Sequence, residues 1–570
     1  MPLRDINISS MTATAQKALL AWRVLDYVGV CAGLWMLATF LQWRAGAFAV
    51  EFSSYPDESA HYITGLMIRD YIASGHLTSP LAYALNYYAH YPKVAFGMWP
   101  PLFHIIEALW TLIFTPTKVS VLLLMALITA ITGVSIYYVL CRGYSRTAAL
   151  AGGALFVVLP LVQVSTAAVM VDGLIALIDL LAMIYLMRYV ESERTKDAIL
   201  FGVCAALCMA TKANGVALAL LPAVVLTITW RWHLLRARGL YYAASIMLLV
   251  GAPWTVLSYR MIGRSMGNVT FAPAIIERTA LAYIKVLCAA LGWGLTPFCV
   301  IGIVILLVRL WRKETEFALV GALALLISVW AYHSLIGNGD ERYMLAALPP
   351  MMILAVAGFA WTVGHMPLRS VPLPARAAAL GTLAIGLFVA TTWTVPHKSY
   401  QGFDQAAYFL LRSPEFVDGN FLVVSGARGE GAFISEVAMH DHRPGHLVLR
   451  STKVLSRTNW YGTSYQLRYD NDQELRDCLD QAPIDAILID MRTAQVQQDE
   501  SAAALEKKVG EVLRSDPNWK LQETFPKLVN TTPWIDLYSR LGPQPSASIH
   551  LDLRYTLGRD IVVPEGDRAK

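Results

Sequence analysis

The chain has 570 residues, of which 56% are hydrophobic and only 15% are charged, and its mean hydropathy is +0.48. These values exclude an ordinary soluble globular protein and indicate a polytopic membrane protein. The net charge of +5 is small and its basic residues lie beside apolar runs, so they do not indicate a nucleic-acid surface.

The apolar runs predict eleven membrane spans, because a span needs about 20 apolar residues. They are 21–43, 118–141, 147–165, 173–190, 197–211, 213–230, 240–259, 281–309, 317–336, 343–362 and 376–395. A single helix over 197–230 would be about 51 Å long, well beyond a hydrocarbon core of about 30 Å. Residues 212–215, Lys-Ala-Asn-Gly, are therefore predicted to form a tight turn between two short spans.

The apolar stretch 100–116 is predicted to be a juxtamembrane helix rather than a span. With this choice the basic clusters fall on one side, which the positive-inside rule makes cytoplasmic. Those clusters are Lys17/Arg23, Arg142/Arg146, Arg188/Arg194/Lys196, Arg231/Arg236/Arg238, Arg309/Arg312/Lys313 and Arg369/Arg376. The prediction is a cytoplasmic N-terminus (1–20) and a transmembrane domain (21–395) with a first outer loop (44–117).

Residues 400–570 are predicted to form a soluble α/β domain, which eleven spans from a cytoplasmic N-terminus leave on the outer side. Strand-like runs alternate there with helix-like ones. The strand-like runs are 421–424 and 484–489, and the helix-like ones are 401–412, 473–481 and 501–515. Residues 426–431, Gly-Ala-Arg-Gly-Glu-Gly, lack the full pattern of a phosphate loop and are predicted to be an ordinary loop.

Ionisable residues recur in the predicted outer loops. The acidic pair Asp57-Glu58 follows the first span, directly before a helical stretch with His61 and Tyr62. Ionisable groups at membrane level are costly unless they pair, face a cavity or take part in chemistry. The further residues of this kind are Lys93, His104, Asp172, Lys212 and Asp340-Glu341-Arg342. We predict that carboxylates and cations from several of these loops share one polar pocket.

Each of these residues also has a purely structural explanation. Asp57 and Asp172 both stand where a helix starts, so either is explained by N-capping. Lys212 and Arg342 at span ends are explained by snorkelling to headgroups. The two loop histidines fit hydrogen-bonded interface residues better than metal ligands. Asp179, inside the fourth span, is predicted to pair with a neighbouring helix.

Five short motifs occur in order along about residues 20–360. They are Asp57-Glu58-x-x-His61-Tyr62, Pro100-Pro101-Leu102-Phe103-His104, Val171-Asp172-Gly173-Leu174, Thr211-Lys212-Ala213-Asn214-Gly215, and Arg342-Tyr343 with Pro349-Pro350. Together they resemble the GT-C polyprenyl-phosphate-sugar glycosyltransferases, and more specifically the protein O-mannosyltransferase and aminoarabinose-transferase branch. The resemblance implies a sugar donor on a polyprenyl phosphate and an acceptor from the outer compartment.

The resemblance also implies roles for the carboxylates. Asp57 would be the general base or the residue that orients the acceptor, with inversion at the anomeric carbon. Glu58 and Asp172 would orient the acceptor. In some relatives such carboxylates hold a divalent cation, for which Asp57 and Asp172 are the candidates here.

The cations would bind the donor phosphate, and Lys212 and Arg342 are the candidates. Many relatives carry Lys directly before the Pro pair, where this chain has Trp99, so the role of Lys93 as a third phosphate ligand is open. The candidate substrate-binding residues are His61, Tyr62, His104 and Tyr343.

The sequence therefore predicts an integral-membrane glycosyltransferase whose partners are a polyprenyl-phosphate-linked sugar, a lipid, glycan or protein acceptor and the bilayer, without nucleic acid. The alternative from another class is a transporter or lipid-linked-sugar flippase. Such proteins usually bind substrate at the membrane midplane, often within repeats, whereas the charges here cluster at one predicted face. A binding protein without catalysis is a third hypothesis.

Overall fold

The computed structural model describes residues 13–95, 97–262, 272–368, 370–457, 466–491, 500–527, 532–543, 545, 548–553 and 559–563. Arg369 and residues 1–12 of the predicted N-terminal segment lie outside these residues. The chain folds into two compact units. We call residues 1–45, 122–255 and 268–397 the helical unit, and residues 46–121, 256–267 and 398–570 the mixed unit.

The described residues between 13 and 391 form a series of α-helices. In chain order they are α1 (Ala13–Arg44), α2 (Pro56–Ala73), α3 (Pro80–His90), α4 (Leu102–Ile113), α5 (Lys118–Leu140), α6 (Arg146–Val158), α7 (Pro160–Thr166), α8 (Asp172–Ser192), α9 (Thr195–Met209), α10 (Leu220–Thr229), α11 (Arg238–Ile262), α12 (Pro273–Trp311), α13 (Phe317–Ile336), α14 (Leu348–His365) and α15 (Leu373–Thr391). Short 3-10 helices cover Ala213–Ala219, Trp232–Arg236 and Glu341–Ala347.

Helical segments lie at all eleven positions predicted for spans. Among the residues that the structure describes, eight helices are long and apolar enough to cross a membrane, and α6 with α7 would make a ninth. These two helices meet at 63° where Pro160 begins α7, because proline has no N–H to continue the helix. Helix α9, with 15 residues, and the helical stretch Ala213–Thr229 are shorter than a full span.

The break predicted between two short helical segments at residues 212–215 is present, but the turn itself lies at residues 210–211 and residues 213–215 begin a 3-10 helix. Helix α9 ends at Met209, and a 3-10 helix begins at Ala213. A Cβ on Gly215 would lie 2.4 Å from the carbonyl carbon of Cys208, so only glycine allows this close return of the chain onto α9. The turn therefore fixes where Lys212 stands relative to α9.

The core of the helical unit is built around α8 and α14, which are mostly buried. Helix α8 packs against α9 and α13, and α14 packs against α12 and α13. By contrast, α11 and α15 leave most of their apolar side chains exposed. Such exposed apolar faces are expected of helices that contact lipid.

In the mixed unit, α2, α3 and α4 come from the first loop, and the rest comes from the C-terminal segment. Helix α4 has 12 residues, buries Phe103 and His104 and exposes Ile105 and Leu109. It is thus a short amphipathic helix, as predicted for residues 100–116, and its position along the membrane surface stays a prediction.

The C-terminal segment is an α/β domain, as predicted. Its helices are α16 (Phe403–Arg412), α17 (Ala427–His440), α18 (Ser451–Val454), α19 (Asp472–Gln481) and α20 (Glu500–Ser515). Its strands are β1 (Phe421–Val424), β2 (Val448–Arg450), β3 (Ser456–Arg457), β4 (Gln466–Leu467), β5 (Ala486–Asp490), β6 (Trp519–Phe525), β7 (Ile535–Arg540), β8 (Ile549–Leu553) and β9 (Arg559–Val563). The predicted strands and helices agree with β1, β5, α16, α19 and α20 within two residues.

Five strands form the main sheet in the order β2-β1-β5-β7-β6. Strand β1 pairs in parallel with β2 and β5, with Phe421 opposite Val448 and Ala486, whereas β7 is antiparallel to β5 and β6. Every residue of β1 and β5 is buried, as expected of central strands covered on both faces. The loop predicted for residues 426–431 is wrong, because only Gly426 is extended and α17 begins at Ala427.

Candidate functional site

The helical unit brings together Asp172 and Lys212, which the sequence separates by 40 residues. Lys212 Nζ lies 2.7 Å from Asp172 Oδ1, and both side chains are less than a tenth exposed. Asp172 is the first residue of α8, yet its side chain makes no cap to the helix. Its second oxygen, Oδ2, is buried without a hydrogen-bond partner among the residues described. The carboxylate is therefore held by Lys212 and not by N-capping.

Tyr343 lies against this ion pair. Lys212 Nζ is 4.6 Å from the centre of the Tyr343 ring, and the Arg342 guanidinium carbon is 5.5 Å from it. His333, at the end of α13, stacks on the same ring at 5.0 Å. A cation near an aromatic face is stabilised by the ring quadrupole. The ring thus contacts two cations, of which Lys212 is paired with Asp172.

Arg342 is fixed by its own neighbour in the chain. Asp340 Oδ2 lies 2.9 Å from Arg342 Nε, and Asp340 Oδ1 accepts a hydrogen bond from the Arg342 backbone N–H at 3.1 Å. Asp340 is the N-cap of the 3-10 helix Glu341–Ala347. The guanidinium is therefore positioned by the start of this helix rather than by snorkelling alone.

A small cavity of about 10 Å³ lies beside these residues, lined among others by Asp172, Asp179, Asn214, His333, Arg342 and Tyr343. Such a volume holds about one water molecule. A phosphate would need a larger space, so its binding here requires Asp172 and Lys212 to separate. Asp179 accepts a hydrogen bond from Cys208 of α9 at 3.0 Å, which confirms its predicted pairing with a neighbouring helix.

The acidic pair of the first loop stands at the N-terminus of α2 in the mixed unit. The N-cap is Tyr55, and no side chain caps the helix, so N-capping does not explain Asp57. Asp57 is partly exposed in the first turn, where the helix dipole favours negative charge. Glu58 is fully buried, pairs with Lys398 Nζ at 3.0 Å and accepts from the Ser54 backbone N–H at 2.9 Å.

Lys93 is buried beside the same helix start. Its Nζ donates to the carbonyl of Ala427 at 2.8 Å and to that of Pro56 at 3.5 Å. The pKa of Lys93 is lowered to about 7, mainly by burial and also by Arg450, against the opposite effect of the Glu430 and Asp57 carboxylates. A role as phosphate ligand would require Lys93 to leave both carbonyls.

The other loop residues predicted to bind substrate form a buried cluster. His61 Nδ1 lies 3.1 Å from His104 Nε2, and the centre of the His61 ring lies 4.2 Å from that of the Trp99 ring, with the two rings tilted by 45°. Burial lowers the pKa of His104 to about 4, which keeps this imidazole neutral at pH 7. The Tyr62 hydroxyl donates to the carbonyl of Pro116 at 2.6 Å. These contacts hold α2 against α4.

A second buried carboxylate, Glu51, binds the start of the C-terminal segment within the mixed unit. This side chain accepts hydrogen bonds from the backbone N–H groups of Gly402 at 2.6 Å and Phe403 at 2.8 Å, at the start of α16. Arg443 adds an ion pair to Asp70 of α2 at 2.7 Å. Through these contacts the C-terminal segment is tied to the loop that carries Asp57.

A divalent cation does not fit the surroundings of Asp172. Lys212 already pairs with this carboxylate at 2.7 Å, and the Arg342 guanidinium contacts the same Tyr343 ring as Lys212, so another positive charge would be repelled. Across the part of the chain that the structure describes, no group of three or more His, Cys, Asp or Glu side chains could hold a metal ion.

Comparisons with known proteins found a family model that matches part of this chain and solved structures that resemble it. Residues 99–257 match the family model of the dolichyl-phosphate-mannose-protein mannosyltransferases. Apo ArnT from Cupriavidus metallidurans is similar in structure, with a TM-score of 0.58 over 92% of this chain and 100% of that one, at 13% identity. The chain has the GT-C fold.

Two further GT-C structures come from Archaeoglobus fulgidus. They are its oligosaccharyltransferase in complex with Zn and sulfate, and the oligosaccharyltransferase AglB with an inhibitory peptide and a dolichol-phosphate. Each has a TM-score of 0.50 and 11% identity, over 83% of this chain and 70% of the other. Among curated proteins, none matches this chain. The predicted resemblance is thus confirmed by a family-model match over residues 99–257 and by the shared GT-C fold.

On this GT-C chain the predicted site residues fall into two groups. The helical unit joins Asp172, Lys212, Arg342 and Tyr343. The mixed unit joins the remaining ones, which are Asp57, Glu58, His61, Tyr62, Lys93 and His104. The catalytic and binding roles of both groups stay predictions.

Four residues near these groups were missed. His333 interrupts the apolar span 317–336, so an ionisable residue within a span was the signal that could have found it. Asn214 lies in the motif that was noticed for Lys212. Glu51 and Lys398 offered no local signal, because each acts on a segment about 350 residues away in sequence.

Proposed function

We propose that this GT-C protein is an integral-membrane glycosyltransferase that moves a sugar from a polyprenyl-phosphate donor to an acceptor on the non-cytoplasmic face. The observation that carries the proposal is the buried pair of Asp172 and Lys212, 2.7 Å apart and set against Tyr343 and Arg342. Two cations held over one aromatic ring in a GT-C fold supply the charge that a lipid phosphate requires.

Lys212 and Arg342 bind the donor phosphate in this proposal. The acceptor hydroxyl attacks the anomeric carbon, and the bond from that carbon to the phosphate oxygen breaks, leaving its electron pair on the polyprenyl phosphate. The two cations offset the charge that develops on this leaving group. Single attack from the opposite side inverts the anomeric configuration.

Asp57 is the proposed base that takes the acceptor proton as the new bond forms. Its position in the first turn of α2 supports this role, because the carboxylate is partly exposed while Glu58 beside it is buried in an ion pair. Glu58 then acts by holding the start of α2, and His61, Tyr62 and His104 hold α2 against α4. Lys93 acts from the same side as a positioning residue rather than as a phosphate ligand.

The test uses the full-length protein purified into lipid, a panel of polyprenyl-phosphate sugars and mixed lipid, glycan and protein acceptors. We expect the wild type to remove sugar from one donor. The rate of this loss should be at least 100-fold lower in Asp57→Asn, a substitution that keeps the size of the side chain. Lys212→Met should raise the donor KM as well as lower kcat. Equal turnover by wild type and Asp57→Asn would remove Asp57 from the mechanism, and turnover of no donor would favour the transporter hypothesis.

A further inference from the structure

A cleft of about 700 Å³ lies within the mixed unit, apart from the residues discussed so far. One wall is formed by α16 and α17 of the C-terminal domain, and Phe525 and Lys527 close it at the end of β6. The remaining wall comes from the two ends of the first loop, Phe48 and residues 117–119. The volume lies in the range of about 300–1,000 Å³ that is typical of ligand sites.

The two ends of the first loop indicate at which level of the membrane this cleft lies. Phe48 follows α1, which ends at Arg44, and Lys118 is the first residue of α5. Both helices are long and apolar enough to span a membrane. Side chains immediately beyond the ends of spans lie at the level of the lipid headgroups. The cleft therefore opens where headgroups are present.

Among the residues described, three cations (Lys118, Arg412 and Lys527) and two carboxylates (Asp404 and Glu436) line the cleft. Lys118 is neutralised by Glu436 at 2.8 Å. Arg412 is exposed and has no carboxylate within ion-pair distance among the residues described. Lys527 pairs with Glu523 at 2.8 Å, and its side chain is about half exposed. Arg412 and Lys527 thus both keep donors available to a ligand.

Aromatic rings hold these two cations in place. The Arg412 guanidinium carbon lies 4.3 Å from the centre of the Tyr408 ring. Lys527 Nζ lies 5.6 Å from the Phe409 ring and 5.4 Å from the Phe525 ring. Rings that position cations and also offer apolar surface suit an amphiphilic ligand.

His440 lines the cleft between charged neighbours of both signs. Burial lowers the pKa of this imidazole, and Lys118 and Arg412 lower it further, whereas Asp404 raises it. The carboxylate of Asp404 is occupied by the Tyr400 hydroxyl and by the Gln405 backbone N–H.

We propose that this cleft binds the phosphate headgroup of an anionic membrane phospholipid. Arg412 and Lys527 donate to the phosphate, and Tyr408, Phe409 and Phe525 contact the glycerol and the first methylene groups of the acyl chains. The bound lipid joins the C-terminal domain to the bilayer at Lys118, which belongs to the same unit. The site does not depend on the glycosyltransferase proposal, because none of its residues takes part in the proposed transfer.

The test measures thermal unfolding of the full-length protein in detergent with short-chain phosphatidylglycerol, short-chain phosphatidylcholine or inorganic phosphate. Phosphatidylglycerol should raise the Tm in a saturable way, while the other two leave it unchanged. The double variant Arg412→Gln/Lys527→Gln should need at least tenfold more phosphatidylglycerol for the same rise, because two charge-assisted hydrogen bonds are lost. Both positions are exposed, so the variant is expected to fold.

The matched control is Arg514→Gln/Lys507→Gln, which removes the same two charges from exposed positions on α20. It should respond to phosphatidylglycerol as the wild type does. An equal loss of response in this control would mean that net charge and not the cleft binds the lipid. An equal Tm rise with inorganic phosphate would overturn the lipid as ligand, and no rise with phosphatidylglycerol would overturn the site.

Discussion

Lys398 Nζ lies 3.0 Å from Glu58 Oε1 although 340 residues separate the two in sequence. The carboxylate is fully buried, and the lysine side chain is 8% exposed. Lys398 is the first residue of the C-terminal part of the mixed unit, and Glu58 adjoins Asp57 at the start of α2. The C-terminal domain therefore helps to hold the helix that presents the proposed base.

Breaking this ion pair from one side is expected to be costly. Lys398→Met leaves a buried carboxylate without its partner, which typically destabilises a protein by about 3–5 kcal/mol. The double variant Glu58→Gln/Lys398→Met removes both charges and should recover most of the lost stability. Thermal unfolding of the three proteins in one detergent measures this, and a double variant as unstable as the single one would contradict it.

The same pair should also affect turnover. Displacing Glu58 moves the first turn of α2, so kcat of Lys398→Met should fall more than the donor KM rises. Lys398→Arg keeps the charge and should restore much of kcat. If KM alone changed, the pair would act on donor binding and not on the position of Asp57.

Lys93 predicts a specific pH dependence of stability. Its pKa is about 7 in the folded protein and 10.5 for an unperturbed lysine, so the unfolded chain binds one more proton between these values. Stability should therefore rise with pH from about 7 to about 10, by up to about 1.4 kcal/mol per pH unit. Lys93→Met should lack this contribution.

The measurement is the difference in Tm between wild type and Lys93→Met from pH 7 to 10. The difference isolates Lys93 because all other titrating groups are shared by the two proteins. Lys93→Met should be the more stable at pH 7, and its advantage should shrink as the pH rises. A difference that does not change with pH would show that Lys93 is charged throughout.

The sequence predicted those parts of the fold that depend on local patterns of apolar and polar residues. Apolar runs located the helices of the spans, and β1 and β5 followed from short apolar runs between polar ones. The span count was less certain where the chain doubles back, because α9 and residues 213–229 are each shorter than a bilayer. The helical start after Gly426 was missed because glycines there favoured a loop.

The candidate site was only partly predictable for the same reason. Asp172, Lys212 and Tyr343 were each found from charge or motif, but their contact depends on how α8, the end of α9 and the 3-10 helix Glu341–Ala347 pack. The pairs of Glu51 with α16 and of Glu58 with Lys398 depend on long-range folding, for which one sequence has no local signal. Residue types were therefore predictable, while their partners were not.

Glu107 is expected to tolerate loss of its charge. Both carboxyl oxygens are buried without hydrogen-bond partners among the residues described, and burial raises the pKa of Glu107 well above its usual value. Since the folded pKa is raised, stability is lost as pH rises above about 4.5. Glu107→Gln should therefore be more stable than wild type at pH 7 and not at pH 4.

Gly65 gives a second check on Glu107. A Cβ at Gly65 would lie 2.4 Å from Glu107 Oε2, so Gly65→Ala should destabilise the contact between α2 and α4. Glu107→Ala makes room and should remove most of the effect of Gly65→Ala in the double variant. Additive losses of Tm in the double variant would mean that the two residues do not meet.

Asp172 is expected to compete with the donor phosphate for Lys212. In the structure the Asp172 carboxylate lies 2.7 Å from the Lys212 ammonium, and the adjoining cavity of about 10 Å³ has no space for a phosphate. Asp172→Asn should therefore bind a short-chain polyprenyl phosphate about tenfold more tightly, equivalent to about 1.4 kcal/mol, even though turnover falls. Lys212→Met should lose binding. Asp179→Asn should bind as the wild type does, because the Asp179 carboxylate accepts a hydrogen bond from Cys208 and does not pair with Lys212. Isothermal titration of the four proteins measures this, and weaker binding by Asp172→Asn would mean that Asp172 helps to hold Lys212 for the phosphate rather than competing with it.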